Sequence, residues 1–467
     1  MLRIYLILLF LSGLFPAIAL CLDDSLYRVD SILIVGNKKT KEYVIMRELT
    51  FQTQAYYTQE NLAEKLTLTR ANLLKLQLFN FVTIDTVLQQ KNYTVTINVI
   101  ERWYIFPYLI IQHSDRNFSE WVQKHEWDRV NYGVSVNKFN FMGRNETLRF
   151  TFIGGFTQQF SVGYYGRYLD KKRRHSLSFD GSFLQQDAVN YETVENKPNR
   201  YSSQYHNVLE TSKLGVSYNF RPDLYNFHSI RAEYNLTQIS DTVLKLNPAF
   251  LGTGENKANY GFFVYNFVSD HRNSKYYPVN GYLYGISLRN SIVFGNNNVK
   301  NFSAIELSFV KFNTISRLWD ISVYAKIKKS IGKNPPYYIN KGLGYGSDQL
   351  RGFEYYIVEG QDFAVAKTML RFNVLPTKIT EIGWIPLTQF RKIHYSIYMN
   401  VFFDWGYALD YSADITYHNN YLTNSSLYSS GFGIDFVTYY DKVVRLDYSI
   451  NSLGEKGVFL HFFAAIR

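Results

Sequence analysis

The sequence has little of several features on which common protein classes depend. Cys21 is the single cysteine among 467 residues, so the chain forms no internal disulfide. Beyond the N-terminus there is no run of roughly 18 or more apolar residues, the length a helix needs to cross a bilayer. The nucleophile elbow G-x-S-x-G, the phosphate loop G-x-x-x-x-G-K-[ST] and the metal motif H-E-x-x-H are also missing. These absences argue against a helical membrane protein and against the enzyme classes that use these motifs, and no cofactor is expected.

Aromatic residues, by contrast, are abundant. They make up 18% of the chain, with Tyr 40 and Phe 36 against Met 5 and Pro 10. Rings with one apolar and one wet end suit a membrane interface, yet the mean hydropathy of -0.20 is too polar for a helical membrane protein. A membrane β-barrel resolves the conflict, because its strands alternate apolar outward and polar inward residues.

The formal net charge of +11 raises the question of nucleic acid. The sequence shows no helix-turn-helix, zinc finger or basic helix that would place these charges in a groove. An exported barrel would meet anionic lipid phosphates instead, so outer-membrane lipids rather than nucleic acid are the expected partners.

The N-terminus has the pattern of an export signal. Arg3 precedes the apolar run 4–15, and Ala17 and Ala19 form an A-x-A-like cleavage site, so residues 1–19 are predicted to be a signal peptide. Cys21 follows that site directly. It is either a lipid-attachment site, against which the bulky Leu20 argues, or an inert or trimmed cysteine.

Residues 26–103 have their own pattern. Strand patterns at 27–35, 79–88 and 93–101 enclose two helix patterns, for which Thr40 and Thr58 are the predicted N-caps. This β-α-α-β-β order, with GNKKTKEYVIMREL, LLKLQLFNFVTID and VTINVIERW in sequence, resembles a POTRA domain, the periplasmic module of outer-membrane assembly and secretion barrels. The resemblance implies a sheet edge that accepts an extended client strand. A generic α+β domain without a special partner is the alternative.

From residue 104 to residue 467 the period of the pattern is two. Apolar residues such as Trp319, Val323 and Ile327 alternate with polar ones such as Asp320 and Lys328, so charges are confined to one face. A soluble β-sandwich also alternates, but the recurrence of the pattern favours a 16-stranded antiparallel transmembrane barrel. The candidate strands cover 104–112, 131–140, 146–156, 159–168, 174–185, 207–220, 227–238, 258–269, 281–294, 301–315, 318–330, 362–375, 394–406, 428–438, 443–452 and 457–466.

An even strand count suits a single-chain barrel with both ends on the periplasmic side. The long polar connections 185–204 and 410–426 follow the fifth and thirteenth candidate strands. Both connections are therefore predicted to be extracellular.

Four short motifs narrow the family. Asp270-His271-Arg272-Asn273 followed by Pro278-Val279-Asn280-Gly281 resembles the D-x-R-[DN]…P-x-x-G connection of BamA-type barrels, and residues 140–144, NFMGR, resemble their N-x-x-G-[RK] hairpin. LRGFE at 350–354 resembles the [VL]-R-G-[FY] motif, and VFFDWG at 401–406 resembles the F-x-D-x-G strand. Together they resemble the BamA/TamA-type outer-membrane assembly barrel superfamily, the bacterial surface antigen family, here with one POTRA domain.

This resemblance implies a site inside the barrel. The inner-loop motif corresponds to Arg351, Gly352 and Phe353, and its arginine is expected to pair with a barrel-wall carboxylate, which corresponds to Asp404. An arginine can form a bidentate carboxylate pair that fixes a loop, and a glycine beside it permits close backbone approach. The sequence departs from the family before Arg371, where Met369 and Leu370 stand in the region in which relatives often carry a glutamate.

The implied function is the insertion or assembly of outer-membrane proteins. The POTRA domain would capture an unfolded client, and a seam between the first strand near Tyr104 and the last near Phe459 would open laterally. Pro107, which removes one ladder donor, is compatible with a weak seam or with an ordinary strand start. A pore that secretes one dedicated protein and a lipid transporter are the alternatives. The expected location is the bacterial outer membrane with the POTRA domain in the periplasm, and accessory subunits are possible partners.

Overall fold

The protein is described here by a computed structural model. It describes residues 26–113, 121, 125, 129–170, 174–203, 207–275, 277–295, 301–332, 335–381, 383, 391–411, 418–438 and 442–462. The predicted signal peptide and Cys21 lie outside the described residues. None of the helices in the described part of the chain is long and apolar enough to cross a membrane.

A small N-terminal domain comes first. Its sheet has the order β2-β1-β4-β3, in which β1 runs parallel to β4 and the other pairs are antiparallel. Two helices pack on it around a core that includes Ile45, Leu73 and Ile97. The elements are β1 (Tyr27–Val35), α1 (Glu42–Met46), β2 (Tyr56–Tyr57), α2 (Gln59–Lys75), β3 (Phe79–Gln89) and β4 (Asn92–Glu101).

The two predicted helix caps have different outcomes. The Thr58 hydroxyl accepts a hydrogen bond from the Asn61 backbone N–H at 3.3 Å, so Thr58 caps α2 as predicted. The prediction for Thr40 is wrong, because Lys41 occupies the N-cap of α1. The Thr40 hydroxyl instead donates to the Glu101 carboxylate at 2.6 Å, and a carboxylate is the stronger acceptor.

Sixteen strands then form one sheet in sequential order, which confirms the expected strand number and fold class. The expected ends lie close to the observed ones, except that β18 runs on to Glu381 and that the expected end of the last strand, residue 466, lies outside the described residues. The strands are β5 (Ile105–His113), β6 (Val130–Phe141), β7 (Glu146–Gly155), β8 (Thr157–Tyr168), β9 (His175–Gln186), β12 (Leu209–Phe220), β13 (Asn226–Ile239), β14 (Lys257–Asp270), β15 (Gly281–Phe294), β16 (Phe302–Thr314), β17 (Trp319–Ile331), β18 (Asp362–Glu381), β19 (Lys392–Leu409), β20 (Ser426–Thr438), β21 (Lys442–Asn451) and β22 (Lys456–Phe462).

Two elements lie in connections for which the sequence predicted no structure. The segment expected only as a polar connection after the fifth barrel strand contains the hairpin β10 (Ala188–Val194) and β11 (Lys197–Ser202). Its turn residues Glu195 and Asn196 both have positive φ, which suits a tight hairpin turn. A short helix, α3 (Asp241–Leu246), lies in the connection after β13.

The sheet closes around a filled lumen. Tyr277, in the connection between β14 and β15, donates a hydrogen bond to Asp435 of β20, although five strand positions separate β15 from β20. The side chains alternate as predicted: on β17 Trp319 and Val323 are exposed on the outside, whereas Asp320 and Lys328 are buried.

The two ends of the sheet are β5 and β22. Within residues 105–113 and 456–462, β5 pairs only with β6, and β22 pairs only with β21. Leu109 and Ile111 of β5 are 84% and 80% exposed, among the most exposed large apolar side chains of the described chain. We call this boundary between β5 and β22 the seam.

Candidate functional site

The connection between β17 and β18 folds into the barrel. Its residues 335–361, called the inner loop below, place Leu343, Leu350 and Phe353 in a buried apolar cluster with Phe363 and Phe402 of the wall. Apolar side chains from a loop are buried here because the lumen supplies a second apolar surface for them to contact. The inner loop is therefore a packed part of the barrel interior.

Arg351 and Asp404, the predicted pair, meet in this interior. The Arg351 guanidinium donates from Nε to Asp404 Oδ2 at 2.9 Å and from Nη2 to Oδ1 at 2.5 Å, a bidentate pair. The Arg351 backbone N–H donates to the same Oδ2 at 3.2 Å. The guanidinium also lies 3.7 Å from the centre of the Phe402 ring, and Asp404 is 0% exposed. The carboxylate thus holds both the side chain and the backbone of the loop.

Gly352 and Phe353 explain the rest of the motif. Gly352 has φ +82°, and a Cβ there would lie 3.2 Å from Ser449 Oγ and 3.4 Å from Ser429 Cβ, so the position favours glycine for its conformation and for its space. Phe353 is buried in the apolar cluster. Its ring contacts Tyr356 edge to face at 6.2 Å, which turns the loop back on itself.

The residues that follow the motif contact the last two strands. The Asn451 amide donates to the Gly352 carbonyl at 2.8 Å, and Tyr356 donates to Glu455 at 2.7 Å. The Tyr355 ring lies 5.7 Å from that of Phe459 on β22. Glu354 is buried, with its Oε1 3.7 Å from Nε2 of His461 on β22. The inner loop therefore contacts β21 and β22, the last two strands of the sheet, and β22 is the strand that borders the seam.

Inward lysines of two strands fix the start of the loop. Lys326 of β17 donates to Asp348 at 2.8 and 3.0 Å. Lys328 donates to the Lys341 carbonyl at 2.7 Å, and Lys367 of β18 donates to the Gln349 carbonyl at 2.6 Å. The sequence pattern placed Lys326 and Lys328 on the inner face of the barrel, but it gave no sign of their partners.

A second polar network, the lower network, lies toward the end of the barrel that carries the N-terminal domain. Arg371 of β18 forms an ion pair with Asp320 of β17 and donates to the Pro278 carbonyl at 2.5 Å, and its guanidinium lies over the Tyr277 ring at 4.5 Å. Tyr277 in turn donates at 2.7 Å to Asp435, which Arg445 also pairs at 2.7 and 2.8 Å. The connection between β14 and β15, which holds Pro278 of the predicted P-x-x-G motif, is thereby tied to the opposite wall.

The N-terminal domain is joined to the barrel by a buried polar cluster. Glu101, at the end of β4, accepts hydrogen bonds from the backbone and side chain of Thr40. The Thr40 hydroxyl also contacts Tyr104 at 2.8 Å and accepts from the Asn140 amide at 2.8 Å. Burial raises the pKa of the Tyr104 hydroxyl well above its ordinary value, and the Glu101 charge adds to the rise. Tyr104 therefore stays neutral and bonded, at the point where the two parts of the chain meet.

A second contact between the two parts is an ion pair. Arg221, in the connection between β12 and β13, donates to both oxygens of the buried Glu48 at 2.8 and 3.0 Å. Next to it, Lys75 of α2 lies 5.8 Å from the centre of the Tyr225 ring. Partial burial lowers the pKa of Lys75, and the charges of Arg272 and Arg221 lower it further while Asp270 opposes them. These contacts dock the helices of the domain against the turns of the barrel.

Sixteen strands in one barrel sheet, an inner loop anchored by an arginine, and a small N-terminal domain of four strands and two helices together define this fold. Residues 27–102 match the family model for POTRA, described as surface antigen variable number repeat. The fold of the whole chain is similar to the crystal structure of BamA from Haemophilus ducreyi lacking POTRA domains 1-3, with a TM-score of 0.54 and 14% identity over 94% of this chain and 85% of that one.

Two further structures are similar in fold. CdiB from Acinetobacter baumannii gives a TM-score of 0.50 at 12% identity over 94% of this chain and 73% of that one. CdiB from Escherichia coli gives 0.50 at 10% identity over 97% and 92%. No curated protein matches the sequence at a significant level. The chain therefore has the BamA-type barrel fold with one POTRA domain, as the motifs predicted.

Proposed function

We propose that this protein is an outer-membrane barrel that assists the insertion or assembly of outer-membrane proteins. The observation that carries the proposal is the seam, at which β5 and β22 each pair with one neighbour within their described residues. A strand at the edge of a sheet is a template for another strand. A client strand that pairs with this edge would enter the membrane beside the barrel wall.

The POTRA domain supplies a second edge for client capture. β3 is the outer strand of its sheet, pairs with β4 alone in the described part of the chain, and has 11 residues. Val87 and Leu88 near its end are exposed. Backbone hydrogen bonds along such an edge give affinity with little demand on client sequence, which suits unfolded outer-membrane or secreted proteins as partners.

The outer surface of the barrel supports a location in the outer membrane. Outward side chains such as Phe152, Leu214, Phe263 and Ile327 are exposed and apolar, as lipid contact requires. The predicted signal peptide would direct the chain across the inner membrane. The POTRA domain, docked at the end of the barrel where the chain enters it, would then lie in the periplasm. In this orientation the hairpin β10–β11 and the entry to the inner loop are extracellular.

We assign Arg351, Gly352, Phe353 and Asp404 a structural role in this function. The bidentate pair holds the inner loop while residues 352–356 contact β21 and β22. The loop would keep the last strands in place while the seam opens on their free side. Arg351→Ala and Asp404→Ala are both expected to impair function.

A pore for one dedicated substrate and a lipid transporter are the competing functions. The packed inner loop argues against an open pore, because Leu350 and Phe353 fill the lumen with buried side chains. Depletion of the protein, followed by quantification of outer-membrane proteins, secreted proteins and outer-membrane lipids, distinguishes the three candidate functions. A general fall in outer-membrane proteins is expected. Loss of one secreted protein alone would indicate the pore, and a change in lipid alone would indicate lipid transport.

A second experiment tests the seam directly. A variant with Leu109→Cys on β5 and Val458→Cys on β22, both exposed positions, is reacted with a short bifunctional maleimide. Tethering is expected to block insertion of an unfolded barrel client into proteoliposomes, and the singly substituted chains treated in the same way serve as controls. Full activity of the tethered protein would rule out lateral opening.

A further inference from the structure

A cavity of about 370 Å³ lies inside the barrel at the end away from the POTRA domain. Its walls come from β8, β9 and β12, from the hairpin β10–β11 and from the inner loop. This volume is within the range of sites that bind small ligands, about 300–1,000 Å³. No residue of the lower network or of the Arg351–Asp404 pair lines it.

The charge of the cavity is of one sign. Among the described residues that line it, Arg200, Lys213 and Lys341 are positive, and none is a carboxylate. Glu359 lies behind this lining, where it accepts a hydrogen bond from the Thr193 hydroxyl at 2.6 Å. Three cations that converge on one small volume favour an anionic ligand.

The polar groups of the cavity are held in place by their surroundings. Arg200 Nε donates to Asn190 Oδ1 at 3.0 Å, and the Lys341 ammonium lies 4.5 Å from the centre of the Tyr345 ring. The carbonyl of Lys341 is itself fixed by Lys328 at 2.7 Å. Sites that bind tightly need this pre-organisation, because side chains that are already ordered lose little entropy on binding.

One wall group lacks a partner. Thr211 lines the cavity, is 2% exposed, and its Oγ1 has no hydrogen-bond partner among the described residues. This oxygen is buried behind the cavity surface, so it is not itself available to a ligand. Gln159 and Gln186 add amide donors and acceptors to the same lining.

We propose that this cavity binds an anionic saccharide, either as a free acidic oligosaccharide or as the sugar headgroup of a glycolipid. The cations would hold its carboxylate or phosphate, and the amide groups would bond to its hydroxyls. The rings of Tyr337 and Tyr338, which pack on the buried Phe250, present flat apolar surfaces that suit the C–H faces of a sugar ring. A bare phosphate would use the cations but leave these rings and the amides of Gln159 and Gln186 without a role.

The test measures binding to the folded full-length chain in detergent micelles by calorimetry. The probes are a tetrasaccharide of alternating glucuronate and N-acetylglucosamine, a phosphorylated diglucosamine glycolipid in mixed micelles, neutral maltotetraose and hexaglutamate. We expect one of the two anionic sugars to bind at least about tenfold more tightly than maltotetraose, and the one preferred identifies the source of the saccharide.

Variants connect that binding to the cavity. Lys213→Gln and Lys341→Gln should each weaken it about tenfold, since hydrogen bonds to charged groups contribute on this scale. Lys245→Gln, an exposed lysine of α3 outside the lining, should bind like the native protein. Heat-modifiable electrophoretic mobility checks that each variant is folded. Equal binding of maltotetraose, tighter binding of hexaglutamate, no binding at about 10 mM, or unchanged binding in both cavity variants would overturn the proposal.

Discussion

The Arg351–Asp404 pair allows a quantitative test, because both partners are buried and each loses its bidentate partner when the other is replaced. Arg351→Ala leaves Asp404, which is 0% exposed, with Lys367 as a neighbouring cation that does not replace the bidentate contact. Removal of one partner of a buried ion pair costs about 3–5 kcal/mol. Lost stacking of the guanidinium on Phe402 adds up to about 2 kcal/mol. We therefore expect Asp404→Ala to lose about 4 kcal/mol of unfolding free energy and Arg351→Ala, which also loses the stacking, about 5 kcal/mol.

The double variant distinguishes this account from simple loss of packing. With Arg351→Ala and Asp404→Ala combined, neither charge of the pair is left without the other, so the loss should be close to that of one single variant and not twice as large. Urea unfolding in micelles, followed by the combined fluorescence of the six tryptophans, gives these free energies. Arg317→Ala, at an exposed turn between β16 and β17, is the matched control, with an expected change within about 0.5 kcal/mol. Additive losses in the double variant would refute the pairing argument.

Three further predictions follow from other contacts. Glu48→Ala and Arg221→Ala should each broaden the distance distribution between spin labels on the POTRA domain and the barrel, and unchanged distributions would show that the ion pair does not dock the domain. Gly352→Ala should cost about 1–2 kcal/mol and speed proteolysis of the inner loop, because its φ is +82°; an unchanged cleavage rate would contradict this. Tyr277→Phe should lower the unfolding free energy by about 1 kcal/mol in the same urea assay, because Asp435 keeps Arg445 as its partner, whereas a loss above about 3 kcal/mol would contradict that sharing.

Much of the fold could be predicted from the local alternation of apolar and polar residues. Residues 319–331 illustrate why: one face is Trp319, Val323 and Ile327, the other carries Asp320 and Lys328, and membrane and lumen make opposite demands on the two faces. Where the pattern was weak, prediction failed. The hairpin β10–β11 has polar residues on both faces, because it covers the lumen and spans no membrane, and β2 has two residues only.

The candidate site was only partly accessible from sequence. Arg351 and Asp404 were identified through motifs that resemble a family, and the structure places them in contact. The contacts of residues 352–356 with β21 and β22 were not predicted, and neither was the pairing of Arg371 with Asp320. These contacts join residues about 50–100 positions apart, and no local periodicity reports which inward side chains face each other across a lumen.

The sequence by itself determined the sixteen strands of the barrel, their inward and outward faces, the small N-terminal domain and the inner-loop motif. Each of these depends on neighbours within a few residues, where the pleat and the helix repeat fix the direction of every side chain. The tertiary structure alone decided how the inner loop contacts β21 and β22, how the POTRA domain docks through Glu48 and Arg221, and that Arg200, Lys213 and Lys341 line one cavity. These features arise from closure of the sheet and from the path of the inner loop, which bring distant inward side chains together.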